Sequence, residues 1–434
     1  MMYANLCSFD TTNINIGDYL KFLTIDYVYD LMGIKDVVYL TPKECMDYAG
    51  EALILPTFFL PGIKNGSINI SNKITPIILS LSLPSVSYQF DADSFFSKHE
   101  NVQYLLKHSP IGCRNEYTYN LLTEHGVPAY IAGCLTVVFP KRENVNPTKV
   151  VLVDTPLELL PYIPKDMLMN CEVTTQQYYF SNEEVTDYRQ IFNFVRDRYD
   201  YIKNNATIVI TSRLHVAMPC IAYGIPVILA RDFVDQRFSF IEKYIPIYNK
   251  TQYHEINWNP KTPDVEDIKE MQLRLATARI NNSAECMQSA SSLTNMFLSR
   301  KASESYGDPH ITMHKNMDRF MEFAKKFDSR TNDCFKYALW GVSESNASFW
   351  DVTIRQRFPN AKLVAILDSF KNGYCYGTAI QHPNTIENMP DVFILVCGVG
   401  AASAAQKLFA RLRISNERYS FLTDAFILDK ENYQ

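Results

Sequence analysis

The sequence predicts an α/β protein of parallel strands, arranged as two lobes followed by a smaller C-terminal α/β domain. Three observations lead there. Short runs rich in Val, Ile and Leu alternate with amphipathic helical patterns from the start to about residue 290, the signature of strands joined by crossover helices. A Pro- and charge-rich passage, FPKRENVNPTK, interrupts that alternation, and a new series opens with KVVLVD. A polar stretch then precedes a separate β-α-β pattern near the C-terminus. The expected organisation is an N-terminal lobe over 1–145, a second lobe over 146–290, a linker or helical region over 291–332 and a third domain over 333–434.

Each element follows from its composition. In the first lobe DVVYL, ALILPTFFL and TPIILSLSLP read as strands buried on both faces, because their apolar residues run on without alternation. NEYTYNLLTEHG reads as an amphipathic helix stopped by Gly126, and the strand AYIAG follows it. In the linker, SRKASESYGDPH is polar and MDRFMEFAKKFD reads as an exposed or bridging helix. The third domain begins with the strand FKYALWGV, continues with a helix ending near Phe358, and reaches a second strand in KLVAILD. DVFILVCGVGAASAAQKLFARL repeats the strand-turn-helix arrangement.

Composition narrows the function classes. A chain of 434 residues exceeds what one hydrophobic core usually serves, and 47% apolar with 21% charged residues is the balance of a globular protein. The net charge of −5 supplies no basic field for a phosphate backbone, so no nucleic-acid partner is expected. The N-terminus lacks the basic and apolar runs of a signal peptide, which predicts a cytoplasmic protein. No apolar stretch is long enough to span a bilayer, so no integral membrane segment is expected. The ten cysteines are scattered without a C-x-x-C pair and are expected to be free thiols, and no metal is called for.

The segment ATIVITSRLHVAMPCIAYGIPVILA carries the most chemistry. Ile208 to Ile210 continue a buried strand, Thr211 or Ser212 suits a helix N-cap, Gly224 suits a left-handed C-cap, and Pro226 opens the next strand. Arg213 and His215 are thereby expected in the first helical turn at the carboxyl end of a parallel strand. That is where open α/β sheets bind ligands, and a helix N-terminus favours an anion. Arg213 adds a fork suited to a carboxylate or phosphate. The plain alternative pairs Arg213 with a structural carboxylate and leaves His215 a satisfied histidine beneath a loop.

Two further segments place polar residues at helix starts. In PIGCRNEYTYN, Arg114 meets a helix N-terminus, either free for a ligand or salt-bridged to its own helix through Glu116. GCLT, Gly133 to Thr136, is the loop after the next strand, with Thr136 available to a ligand. In NINIGDYL, Asn15, Gly17 and Asp18 form a polar turn running into a helix; Gly17 permits close backbone approach, and Asp18 either caps the helix or orients a hydroxyl.

N-x-G-D, then G-C-R with its helix and G-C-L-T, then S-R-L-H leading to G-I-P, in this order and spacing, resemble the polysaccharide pyruvyl transferase family over about residues 5–290. The resemblance implies two Rossmann-like lobes in a GT-B-like arrangement with the active site between them. It also implies phosphoenolpyruvate as donor substrate, with no cofactor, and a sugar hydroxyl pair as acceptor, giving a pyruvyl ketal and phosphate. The residues agree with that chemistry. A phosphate and a carboxylate held close together call for two arginines and helix N-termini, here Arg114 and Arg213. Protonation of the donor's methylene carbon calls for a general acid, and His215 is the candidate catalytic residue. Ser212, Asn15, Gly17, Asp18 and Thr136 complete the expected substrate-binding set. One position departs from the family pattern: Asn115 stands where Asp is usual after the Arg and cannot act as a base.

The expected partner is a saccharide acceptor, free or linked to a lipid or nucleotide carrier, and self-association into a homo-oligomer is left open. Two other classes remain in view: a GT-B nucleotide-sugar glycosyltransferase on the same scaffold, and a catalytically silent binding or assembly subunit. In the C-terminal domain WGVSESN lacks G-x-G-x-x-G, while Asp368 ends the second strand where a ribose-binding acid would sit. A structural use of that domain is the plainer reading.

Overall fold

The computed structural model describes residues 2–8, 14–61, 63–64, 66–83, 91–143, 145–178, 180, 185, 187–232, 234–283, 286–299, 311–325 and 335–428. The chain divides into two compact units, Met1–Thr155 with Pro161–Pro309, and Pro156–Leu160 with His310–Gln434.

The first unit is α/β and holds two parallel sheets. The N-terminal sheet has the order Val37–Leu40, Met2–Leu6, Leu53–Thr57, Ile74–Ile78. Its central strand Leu53–Thr57 is buried along its whole length and apolar up to Thr57, as a strand covered on both faces requires. Ile111–Cys113 and Ala129–Ile131 form a further parallel pair, joined to the first sheet region by a bridge between Leu81 and Cys113. The second sheet has the order Cys171–Thr174, Lys149–Val153, Ala206–Thr211, Val227–Ala230, Ile247–Tyr248, all parallel. Ala206–Thr211 lies at its centre, so the turn leaving that strand opens at the middle of the sheet's carboxyl edge.

Two devices fasten the sheets together. Gln177–Tyr178 pairs antiparallel with Ile14–Asn15, and Ile16 N–H donates to Gln176 O at 2.9 Å. The helix Ile16–Leu31 buries Ile25, Val28 and Tyr29 in one core with Val151, Val209 and Ala217 of the second lobe. Its Tyr19 and Phe22 pack in a second core with Phe192 and Tyr199 of the helix Tyr188–Asn205. The start of the first long helix is therefore clamped against the second lobe.

The C-terminal unit is a second α/β layer. Its sheet has the order Tyr374–Cys375, Thr378–Gln381, Lys362–Leu367, Lys336–Trp340, Val392–Val396, Tyr419–Phe421, parallel except for the Tyr374–Cys375 edge. The helix Glu344–Arg357 packs Trp350 and Ile354 on one face with Tyr337 and Leu339. The helix Val399–Leu412 packs Ala402, Ala405 and Phe409 on the other with Ala338 and Val396. The helix Ile311–Lys325, expected in the linker, instead belongs to this unit, because Phe320, Phe323 and Ala324 fall on one stripe and are buried in its core. SRKASESYGDPH lies outside the described residues except for Ser299. Pro156–Leu160 also packs here, with Leu157 N–H donating to Ala425 O at 3.0 Å. No helix among the described residues is long and apolar enough to cross a membrane.

Candidate functional site

The turn after the central strand is built around Asp154. Asp154 follows the neighbouring strand Lys149–Val153 and adopts a left-handed backbone (φ 44°), an uncommon conformation that Asp tolerates better than most residues. Its buried carboxylate takes the Arg213 Nε at 2.7 Å, the Gln176 N–H at 3.2 Å and the Thr175 hydroxyl at 2.6 Å. Its carbonyl accepts from the Ser212 hydroxyl at 2.7 Å. Ser212 and Arg213 are thus engaged in joining two strand ends, and Arg213 has the structural carboxylate that the plain alternative foresaw. The helix runs over Leu214–Ala222 with Arg213 as its N-cap, one residue later than a Ser212 cap would place it. Thr211 accepts from the Arg213 N–H at 3.0 Å, which turns the chain without a side-chain cap on the helix itself. At the other end Gly224 (φ 77°) donates to Ile221 O and Ile225 to Cys220 O, the left-handed termination its glycine predicts.

His215 sits in the first turn of this helix, against the first lobe. A Cβ built on Gly17 would lie 2.9 Å from the His215 Cβ, so only glycine lets the two helices approach this closely. The backbone of His215 is held from below: Gln176 Nε2 donates to the Tyr199 hydroxyl at 2.7 Å, and that hydroxyl donates to His215 O at 2.7 Å. The imidazole Nε2 is sealed from solvent and has no hydrogen-bond partner among the described residues. Burial first, then Arg114 and Lys21, holds its pKa well below the ordinary histidine value, with Asp18 opposing.

Gly17→Ala tests this contact. The added methyl meets a Cβ that cannot swing aside, so a destabilisation of about 1–3 kcal/mol is expected, with a displaced His215. Thermal unfolding checks the first effect and turnover the second; a variant as stable and active as the parent would contradict the close approach.

Arg114 comes from the other lobe, at the end of Ile111–Cys113. It is only 5% exposed, and its contacts to the Ser80 hydroxyl and carbonyl are both at 3.5 Å, the outer limit of a hydrogen bond. No carboxylate pairs with it among the described residues; the bridge to Glu116 is not formed there. Burial lowers its pKa, with Arg237 adding to the effect and Cys134 and Asp18 opposing it. A buried guanidinium without a counter-ion is costly unless something anionic meets it.

Asp18 and Lys21 stand beside these groups, paired at 2.7 Å across one helical turn. Asn15 takes the N-cap role, accepting from the Gly17 N–H at 3.0 Å, so Asp18 does not cap. Burial would raise the Asp18 pKa, yet Lys21, His215 and Arg114 prevail and hold it below the usual carboxylate value. Burial lowers the pKa of Lys21, which Asp18 partly restores and Arg114 lowers further. Arg237 follows Val227–Ala230, is held by Asp235 through contacts of 2.8 and 2.5 Å, and is half exposed. Its charge reaches Arg114, His215 and Asp18.

Sequence reasoning missed Lys21 and Arg237. The i,i+3 spacing of Lys21 from Asp18 was a usable signal, as was the position of Arg237 just beyond another parallel strand. Thr136 is fully buried in the 3-10 turn Leu135–Val138, with its hydroxyl 3.1 Å from the Cys134 sulfur. Asn115 is a buried N-cap: its Oδ1 accepts from the Thr118 N–H at 2.8 Å and its Nδ2 donates to the Ser82 hydroxyl at 2.8 Å. That accounts for a capping side chain here without any role as a base. Among the described residues no group of three His, Cys, Asp or Glu side chains could hold a metal ion.

Arg114, Lys21 and Arg237, drawn from two lobes of an α/β protein, all act electrostatically on the unpaired imidazole. Residues 15–230 match the family model for polysaccharide pyruvyl transferase, and the chain belongs to that family through this region. It is accordingly a transferase of the pyruvyl transferase class. Among solved structures, a functionally uncharacterised protein from Klebsiella pneumoniae matches with 15% identity over 53% of this chain and 83% of its own, at a TM-score of 0.31. A putative phosphosugar isomerase from Clostridium difficile matches with 10% identity over 67% of this chain and 79% of its own, at a TM-score of 0.19. Neither likeness is close enough to bear on function. No curated protein matches the chain.

Proposed function

We propose that the protein transfers the enolpyruvyl group of phosphoenolpyruvate to two hydroxyls of one saccharide, forming a pyruvyl ketal and releasing phosphate. The observation that carries this reading is the buried, carboxylate-free Arg114 next to the unpaired Nε2 of His215. A small molecule with several negative charges supplies the counter-charge that Arg114 lacks, with Lys21 and Arg237 adding positive charge beyond their pairs with Asp18 and Asp235, and Arg114 offers a bidentate fork to its carboxylate or phosphate.

His215 delivers a proton to the methylene carbon, which becomes the methyl group, while positive charge develops on the carbon bearing the carboxylate and phosphate. One sugar oxygen bonds to that carbon, and the second displaces phosphate by breaking the bond between the carbon and the phosphate oxygen. One hydroxyl proton replaces the proton given by His215, and the other leaves with phosphate. Asp18, exposed on its solvent side, orients the acceptor hydroxyl. In the free site burial, and after it Arg114 and Lys21, keep His215 neutral; the donor's negative charge offsets the cations and raises its proton affinity, so the imidazole becomes the acid when donor binds. The two sheets meeting at this point fit a GT-B-like arrangement, and a cytoplasmic enzyme acting on a free or carrier-linked sugar fits the reading.

The test is to incubate the protein with phosphoenolpyruvate and candidate saccharides, measuring phosphate and the mass of the sugar. Equal amounts of phosphate and pyruvylated sugar are expected. Transfer of a sugar from a nucleotide sugar to the acceptor, with no turnover of phosphoenolpyruvate, would instead favour a glycosyltransferase.

A further inference from the structure

From the geometry of the C-terminal unit we infer that it holds a separate nucleotide-binding site, in a groove between the outer side of the helix Val399–Leu412 and the edge strand Tyr419–Phe421. The groove encloses about 570 Å³ and lies wholly within this unit, with Gln406, Lys407, Arg413, Tyr419, Phe421 and Leu157 among its lining residues. That volume and the mix of aromatic, apolar and few polar side chains are those of a small-molecule site.

Two irregularities meet in it. Gln406 is half-buried, yet both its Nε2 and Oε1 are sealed from solvent without a hydrogen-bond partner among the described residues. An amide left with neither donor nor acceptor satisfied is rare in a folded protein and costs stability. It loses no protein hydrogen bond by rotating into the groove. Its adjacent donor and acceptor match the paired acceptor and donor on the edge of a nucleobase. Arg413 is the second irregularity. It closes the helix in the left-handed conformation (φ 51°) that glycine or asparagine takes at lower cost, and so keeps a cation at the groove's mouth.

The remaining walls fit the rest of a nucleotide. Tyr419 stacks on Phe409 with centroids 4.2 Å apart and planes at 23°, which fixes an aromatic surface for a base. Lys407 and Arg413, both exposed, flank the groove and suit a phosphate or diphosphate. Inorganic phosphate alone would leave the amide and the aromatic wall unused. The groove lies at the sheet's outer edge near the helix C-terminus, away from the strand end at Asp368 that the sequence singled out.

The full-length protein is to be titrated calorimetrically with nucleoside mono- and diphosphates of all four common bases, with inorganic pyrophosphate as control. At least one nucleotide is expected to bind, while pyrophosphate does not compete. Gln406→Leu is expected to weaken binding by about tenfold or more, the loss of a hydrogen-bonded amide. Arg413→Asn, which keeps the left-handed turn, should weaken nucleoside diphosphates more than monophosphates. Arg114→Gln should leave nucleotide affinity unchanged, which separates this site from the transferase site. Absence of binding by every nucleotide, binding indifferent to both groove variants, or binding abolished by Arg114→Gln would each overturn the inference.

Discussion

His215→Gln is expected to fold normally, to retain donor binding, and to release phosphate from phosphoenolpyruvate about 10² to 10⁴ times more slowly in the presence of acceptor. The expectation rests on where the imidazole lies. Its backbone carbonyl is anchored by Tyr199 and its Cβ by Gly17, so a glutamine of similar reach keeps both contacts. What the substitution removes is a group able to gain and give a proton. Nε2 makes no structural hydrogen bond, so stability should hold or rise slightly, since a histidine kept neutral by burial no longer has to be charged in acid. The sign can be stated. The folded pKa of His215 is depressed, so its stabilising share is fully present above the unfolded value near 6.5 and is lost progressively as pH falls from there through the lower folded value. The Gln variant should therefore be less sensitive to acid unfolding than the parent. Unchanged turnover would remove His215 from the chemistry.

Arg114→Gln is the second large effect, and it separates a ligand-binding arginine from a structural one. Removing one partner of a buried ion pair typically costs about 3–5 kcal/mol, because the other charge is left alone. Arg114 has no such partner among the described residues, so the variant should be as stable as the parent or more so. Donor affinity should fall by about a hundredfold, the worth of two charge-assisted hydrogen bonds at about 1.5 kcal/mol each. Arg114→Lys should recover only part of it, because an ammonium restores the charge but not the planar fork. A marked loss of thermal stability with intact donor binding would show that Arg114 holds the fold instead.

The alternating strands and helices were legible in the sequence wherever apolar runs were uninterrupted: Ala206–Thr211, Val227–Ala230 and Val392–Val396 fall where Val, Ile and Leu cluster. Gly224 and Gly126 marked helix ends because only a left-handed turn uses a glycine in that place. The third-domain helix at Ile311–Lys325 was harder, since its charges outnumber the two phenylalanines that bury it. Within the site, the positions of Arg114 and His215 followed from strand ends and helix starts. The partner of Arg213 did not: Asp154 is 59 residues away and meets it only because two adjacent parallel strands end side by side. Lys21 and Arg237 carried local signals, but their approach to Arg114 and His215 arises from packing between elements that sequence spacing does not connect.

Calorimetric titration of phosphoenolpyruvate at about pH 8, in buffers of different ionisation enthalpy, examines the charge arrangement itself. At that pH a phosphate monoester, with a second pKa of about 6, brings no proton of its own. Binding by the parent protein should draw in a fraction of a proton per donor as His215 gains proton affinity, and the His215→Gln variant should bind without that uptake. Binding with no proton uptake in the parent, undiminished in Arg114→Gln, would contradict a donor seated between Arg114 and the imidazole.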